Sequence, residues 1–238
     1  MGNTQHFREL HQQQDPLLIG NVWDATSARV MERCGIKAIA TSSAAVAETL
    51  GYNDGEQMTF EEYFFVIDHI VRATALPLSV DIESGYGESP ETVAANIERL
   101  SAIGVVGINI EDSTVRNGER VMLEKEQFAA KLKAVVNLLR SKSIDMFVNL
   151  RCDSFLLPAA NPLQDALDRA QAYAATGADA LFLPCIVRLE DIAEVVGGSP
   201  LPINVMCMPS LPSFDEMRKA GVRRISMGNF LSRTAQAD

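Results

Sequence analysis

Four times in this chain a helical stripe stops at a glycine that runs straight into an apolar stretch: at Cys34-Gly35, Ile103-Gly104, Thr176-Gly177 and Ala220-Gly221. Glycine closes a helix because it enters the left-handed backbone region without a Cβ penalty. The spacing therefore predicts a repeated helix-to-strand unit. Strands are predicted at 17–22, 36–40, 78–83, 106–111, 146–151, 180–183, 203–206 and 224–227. Helices are predicted between them, opening for instance at Thr59 with Glu62 in capping-box spacing, at Ser89-Pro90 and at Asn161-Pro162. Eight strands alternating with helices predict one α/β domain over 1–238, a (β/α)8 TIM-type barrel with right-handed crossovers. A doubly wound open sheet is the alternative. It needs a glycine-rich phosphate turn after the first strand, where Asn21-Val22-Trp23-Asp24 stands instead.

The third strand is greasy on one face and polar on the other. Alternation points Leu78, Val80 and Ile82 one way and Ser79, Asp81 and Glu83 the other. The fourth strand ends at Glu111 and the fifth at Arg151, so polar groups gather at the C-terminal ends. In a barrel those ends line one mouth. The predicted ring holds Trp23, Asp24, Thr41, Ser42, Ser43, Asp81, Glu83, Glu111 and Arg151. Arg151 neutralising one acid as a plain ion pair is the bland reading. Asp81, Glu83 and Glu111 against one guanidinium leave excess negative charge, which raises carboxyl pKa values unless a cation binds. Oxygen ligands without clustered His or Cys favour a hard divalent ion, Mg²⁺ with Mn²⁺ as its substitute.

The formal charge of −10 supplies no basic stripe for nucleic acid or an anionic membrane surface. No apolar run reaches the ~20 residues that span a bilayer. Residues 1–15 read as a polar leader without the layout of a secretory signal, so a cytoplasmic location is expected. Cys34, Cys152, Cys185 and Cys207 make no C-x-x-C pair, and His6, His11 and His69 read as solvated or packed. Residues 112–123 are polar and long enough for a mobile lid loop.

Taken together, Asn21 to Ala28, Thr41-Ser42-Ser43-Ala44, Asp81-Ile82-Glu83-Ser84-Gly85-Tyr86-Gly87, Ile110-Glu111-Asp112 and Asn149-Leu150-Arg151 resemble, in this order, the isocitrate lyase/phosphoenolpyruvate mutase superfamily over nearly the whole chain. The resemblance implies a (β/α)8 barrel that binds Mg²⁺ and a small 2-oxo acid or phosphonate and cleaves or forms a C–C or P–C bond beside the carbonyl. It implies Asp81 as the direct metal ligand, with Asp54, Glu83 and Glu111 holding the metal's water shell, and Glu111, Arg151 and Asp54 as the catalytic set. Substrate would meet Ser42, Ser43, Ala44, Asp81 and Arg151, Trp23 would cap the pocket, and Asn117 is the counterpart of a mutase lid asparagine. A homo-oligomer, dimer or tetramer, with a short or absent last helix is also implied.

The lid departs from the family pattern. Isocitrate and methylisocitrate lyases carry a Lys-Lys-Cys-Gly-His motif there, and 113–121 contains neither lysine nor cysteine. Arg116 and Arg120 are the cations on offer, with solvated surface charge as their default reading. The expectation is a Mg²⁺-dependent lyase acting on a 2-oxo or 2-hydroxy acid. The alternatives are a phosphoenolpyruvate or phosphonopyruvate mutase or hydrolase, and a non-catalytic 2-oxo acid binder.

Overall fold

The computed structural model describes residues 2–157 and 160–237. Helix α1 (Gly2–Leu10) precedes β1 (Leu17–Val22), α2 (Ala25–Arg33), β2 (Ile39–Thr41), α3 (Ser43–Thr49), α4 (Phe60–Ala73), β3 (Leu78–Asp81), α5 (Pro90–Ala102) and β4 (Gly107–Glu111). A hairpin of β5 (Ser113–Arg116) and β6 (Glu119–Met122) follows, then α6 (Lys125–Ser141), β7 (Phe147–Arg151), α7 (Pro162–Tyr173), β8 (Ala180–Leu183) and α8 (Leu189–Gly198). The chain continues through β9 (Ile203–Met206), α9 (Phe214–Ala220), β10 (Arg224–Ser226) and α10 (Phe230–Ala237). Eight parallel strands close in the order β1-β2-β3-β4-β7-β8-β9-β10 and back to β1. The TIM-type barrel expected from the repeat is the fold, and the open-sheet alternative falls.

The local signals do their work where expected. Gly35, Gly104, Gly177 and Gly221 all have positive φ, from 76° to 105°, so a side chain at any of them would strain the turn into the next strand. Thr59 and Glu62 form a reciprocal capping box at α4, and Ser89 accepts a hydrogen bond from Thr92 N with Pro90 opening α5. Register then sets the mouth: Glu111 on β4 pairs with Arg151 on β7, and Asp81 on β3 with Asn109 on β4.

Residues 2–15 do not form a solvated leader. Over 2–10 the chain is helical, and Phe7, Leu10 and His11 are buried against Leu17, Ile19, Ala40, Phe147 and Ala180 on the inner face of the barrel. The reason lies in apolar residues at helical spacing: Phe7 and Leu10 sit among polar neighbours and share one face. Phe7 meets Phe147 edge-on at 5.2 Å, and His11 stacks on Phe147 at 4.2 Å. Gly107 is required here, because a Cβ would come within 3.1 Å of the Phe7 ring. The plug closes the N-terminal end of the barrel, leaving the other end as the mouth.

His11 Nδ1 donates to the Phe7 carbonyl at 2.8 Å. Burial, with the charges of Arg224 and Arg8, pushes the imidazole down to about 3 from its usual 6.5. A depressed folded value means that the unfolded chain takes up the proton first. Stability is present above pH 6.5 and is lost as pH falls toward 3, about 1.4 kcal/mol per unit. The acid limb of the stability curve should therefore flatten by about 2 kcal/mol between pH 7 and 5 in His11→Phe. Urea melts at the two pH values read this; equal slopes in wild type and variant would refute the assignment.

Besides α1, one helix was not legible: α3 begins immediately at the end of β2. Helix α10 follows β10. No helix among the described residues is long and apolar enough to cross a membrane.

Candidate active site

Asp81 ends β3 and is held by a closed ring of hydrogen bonds. Its backbone N donates to Thr41 Oγ1 at 2.9 Å, Thr41 and Tyr63 hydroxyls meet at 2.7 Å, and Tyr63 Oη donates to the Asp81 carbonyl at 2.7 Å. Its carboxylate Oδ2 accepts from Ser43 Oγ at 2.8 Å, while Oδ1 is buried with no hydrogen-bond partner. Burial raises the Asp81 carboxyl above its usual range, against the pull of Arg151. Removing the Tyr63 hydroxyl breaks two links of the ring in a fully buried position. Tyr63→Phe should cost about 1–3 kcal/mol, read from the midpoint of chemical denaturation; an unchanged midpoint would show that the ring does not hold the strand end.

Glu83 departs from the expected alternation. The strand ends at Asp81, and Glu83 stands in the turn beyond it with φ 50°, still within reach of the charges of Asp81 and Glu111. Its carboxylate accepts from Glu56 N at 2.7 Å and Tyr86 Oη at 3.1 Å. Burial, then the charges of Asp54, Asp81, Glu111 and Glu56, push it up to about 8. Glu56 and Tyr86 share the left-handed backbone, with φ 55° and 52°. Such conformations strain residues bearing a Cβ and concentrate at functional sites. Glu56 was missed because its loop carries no periodic pattern.

Glu111 is clamped between two guanidiniums: Oε2 lies 3.0 Å from Arg151 Nη1, and Oε1 accepts from Arg120 Nη1. Burial pushes its carboxyl up, and the Arg151 charge opposes the shift. Arg151 also reaches fully buried Asp153, Nε to Oδ1 at 2.6 Å. Arg120 is no solvated surface charge. Its side chain is 14 % exposed and bonds Ser113 Oγ at 2.9 Å and Asp54 Oδ2 at 3.0 Å. The reason is that 112–123, expected as a loop, pairs as the β5–β6 hairpin, which turns Arg120 inward and leaves Arg116 exposed.

Of these groups, Asp54, Asp81, Arg120 and Arg151 line a cavity of about 420 Å³ at the C-terminal strand ends, whereas Glu83 and Glu111 are not among its lining residues. Asn21, Thr41, Ser42, Ser43, Ala44, Asp54, Asp81, Asn109, Arg120 and Arg151 form its polar wall, with Leu156, Leu157, Phe182, Pro184 and Met206 opposite. A larger cavity of about 670 Å³ lies between the hairpin and α6, lined by Glu56, Glu88, Arg116 and Lys131 among others and by none of the strand-end residues Asp81, Glu111 and Arg151.

Three expectations fail on geometry. Trp23 does not line the cavity; it is half-buried against the layer between strands and helices. Asp24 caps α2, its Oδ1 accepting from Ser27 N at 2.6 Å. Asn117 occupies the exposed hairpin turn with φ 53°, where its side chain reaches no cavity residue by hydrogen bond. Asn21 was overlooked, although it stands at a strand's C-terminal end in a motif already singled out. Its Oδ1 accepts from Met227 N at 2.8 Å and Gly228 N at 3.1 Å, and its Nδ2 donates to the Thr41 carbonyl at 2.9 Å.

Among the described residues, no three His, Cys, Asp or Glu stand close enough to cage a metal on their own. The donor set nevertheless fits a hard ion that keeps most of its waters. It offers one free, buried carboxylate oxygen, Asp81 Oδ1, with further acids nearby.

A barrel with acids and arginines at the C-terminal mouth and a hairpin over it defines an enzyme class, and comparison with known proteins gives the family. A family model described as phosphoenolpyruvate phosphomutase matches residues 7–238. A crystal structure of a Burkholderia cenocepacia J2315 protein provisionally assigned as a phosphonomutase superposes with TM-score 0.92 and 41% identity, covering 99% of this chain and 95% of that one. The 2-methylisocitrate lyase of Salmonella typhimurium is 32% identical over 232 residues, 92% of this chain and 76% of that protein. The oxaloacetate decarboxylase of Rhodopseudomonas palustris is 29% identical over 215 residues, 88% of this chain and 73% of that protein. The chain belongs to the phosphoenolpyruvate mutase/isocitrate lyase superfamily and is a lyase- or mutase-like enzyme.

Proposed function

We propose that the protein is a Mg²⁺-dependent lyase that breaks a C–C bond next to the carbonyl of a small 2-oxo or 2-hydroxy acid. The observation that carries this reading is the unpartnered Asp81 Oδ1 beside a surplus of acid. Among the described residues, Asp54, Asp81, Glu83, Glu111 and Asp153 outnumber the three arginines whose charges reach them, Arg120, Arg151 and the buried Arg224. An anionic substrate would be repelled from such a mouth unless a cation offset the surplus. Asp81 would hold the ion directly, with Asp54, Glu83 and Glu111 oriented toward its waters. The bound ion supplies positive charge beside the carbonyl oxygen, where negative charge develops as the neighbouring bond breaks.

The chain's own groups do the rest. Arg151, fixed by Glu111 and Asp153, presents its remaining N–H groups to the oxo-acid end, and the turn at Ser42, Ser43 and Ala44 lines the carboxylate side. Leu156, Leu157 and Phe182 keep that wall dry, which strengthens every charge interaction inside. Glu111, its carboxyl raised by burial and held on both oxygens, keeps Arg120 and Arg151 aimed at the cavity.

The test is turnover across a panel of 2-oxo and 2-hydroxy dicarboxylates with Mg²⁺, followed by Glu111→Gln. Turnover that drops at least about a hundredfold in the variant supports the reading; no turnover of any panel member with tight pyruvate binding would make the protein a binder instead. A mutase is the second reading, favoured by the phosphonomutase assignment of the structural relative. Phosphorus NMR with phosphonopyruvate decides it, because only a mutase converts the carbon-bound phosphorus signal into a phosphate ester.

A further inference from the structure

We infer that Arg120 is the specificity-determining residue of this site: it receives a second anionic group of the substrate, beside the one that Arg151 anchors. This inference rests on the function proposed above and adds the residue that selects among acids.

The geometry comes from the hairpin. Strands β5 and β6 pair antiparallel with Val115 opposite Arg120, and the turn at Asn117-Gly118 needs the left-handed backbone that both residues adopt. This fold brings a guanidinium from the rim down into the cavity wall, where it is mostly buried. Its contacts divide by donor. Nη1 is spent on Glu111 and Ser113, whereas Nη2 makes one bond, to Asp54 Oδ2 at 3.0 Å. A guanidinium has five N–H donors, so Nε–H and one Nη2–H of Arg120 have no protein acceptor among the described residues.

Asp54 is the exchangeable partner. Its side chain is 42 % exposed, and ion pairs with an exposed partner contribute little. A substrate carboxylate or phosphonate arriving at Arg120 can therefore displace it at small cost. Glu111, 2 % exposed and shared with Arg151, stays in place and keeps the guanidinium aimed. The pocket then offers two cations, Arg151 and Arg120, with the apolar side chains of Leu156, Leu157 and Phe182 along one wall. That arrangement suits a short acid charged at both ends. A bidentate fork also reads planar carboxylates better than a point charge does, so lysine should serve only in part.

The experiment is calorimetry in saturating Mg²⁺ with two probes: oxalate, which fills only the metal-facing end, and 3,3-difluorooxaloacetate, which extends a second carboxylate beyond it. The readout is the ratio of the two affinities in wild type, Arg120→Gln and Arg120→Lys. The ratio should fall at least tenfold in the glutamine variant and recover partly in the lysine variant. An unchanged ratio, with both affinities lowered together, would overturn the inference and make Arg120 a support for Glu111 alone. Wild type that binds neither probe would overturn the proposed function itself. Wild type that binds oxalate, but whose ratio ignores position 120, overturns only this assignment.

Discussion

Asp81→Ala is expected to lower Mg²⁺-dependent oxalate binding by at least a hundredfold while leaving the ligand-free protein as stable as wild type or more so. The two halves of this result come from the same feature. Oδ1 of Asp81 is buried with no partner, and burial raises its carboxyl above the ordinary range. A carboxyl whose folded value is raised destabilises the fold wherever it is ionised, and that cost disappears as pH falls through the folded value. Removing it relieves the cost at neutral pH. Binding suffers because the same oxygen is the only unpartnered buried carboxylate oxygen on the cavity wall among the described residues; changing groups that merely orient a metal's ligands already costs about 10–100-fold. Calorimetry with and without Mg²⁺, beside a thermal melt of each protein, gives both numbers. Unchanged oxalate affinity would remove Asp81 from the site, and a melt falling by more than ~5 °C would show a structural role instead.

Arg151→Met carries the largest expected effect on stability. The guanidinium is mostly buried between Glu111 and Asp153, with bonds of 3.0 and 2.6 Å, and both carboxylates are buried. Deleting one partner of a buried ion pair leaves uncompensated charge and costs about 3–5 kcal/mol. At this chain length that lowers the melting temperature by roughly 6–20 °C. Adding Glu111→Gln to the same protein removes part of the stranded charge and should recover part of the loss. A double variant as unstable as the sum of the two single changes would mean that these residues do not interact.

Much of this was legible in the sequence because barrels repeat. The glycine stops, the cap at Thr59 and the proline starts at Pro90 and Pro162 are local signals, and each appears where its chemistry demands. Asp81, Glu111 and Arg151 were singled out because acids and a guanidinium at the ends of apolar strands break the pattern. Contributions set by turns were not legible. Glu83 was assigned to the strand, since alternation cannot foresee a left-handed residue. Arg120 looked like surface charge, because only pairing of β5 with β6 turns it inward. Trp23 and Asp24 lay one step beyond the strand, where the chain is already entering α2. The plug formed by Phe7, Leu10 and His11 was hidden by the polar residues around it.

A crystal structure with Mg²⁺ and oxalate tests the account most directly. The ion should sit with Asp81 Oδ1 at about 2.0–2.1 Å, oxalate chelating it from the side of Arg151, and Glu83 and Glu111 reaching it through water. An ion bound outside the cavity, or one that leaves Asp81 Oδ1 uncoordinated, would contradict the metal-centred reading of this mouth.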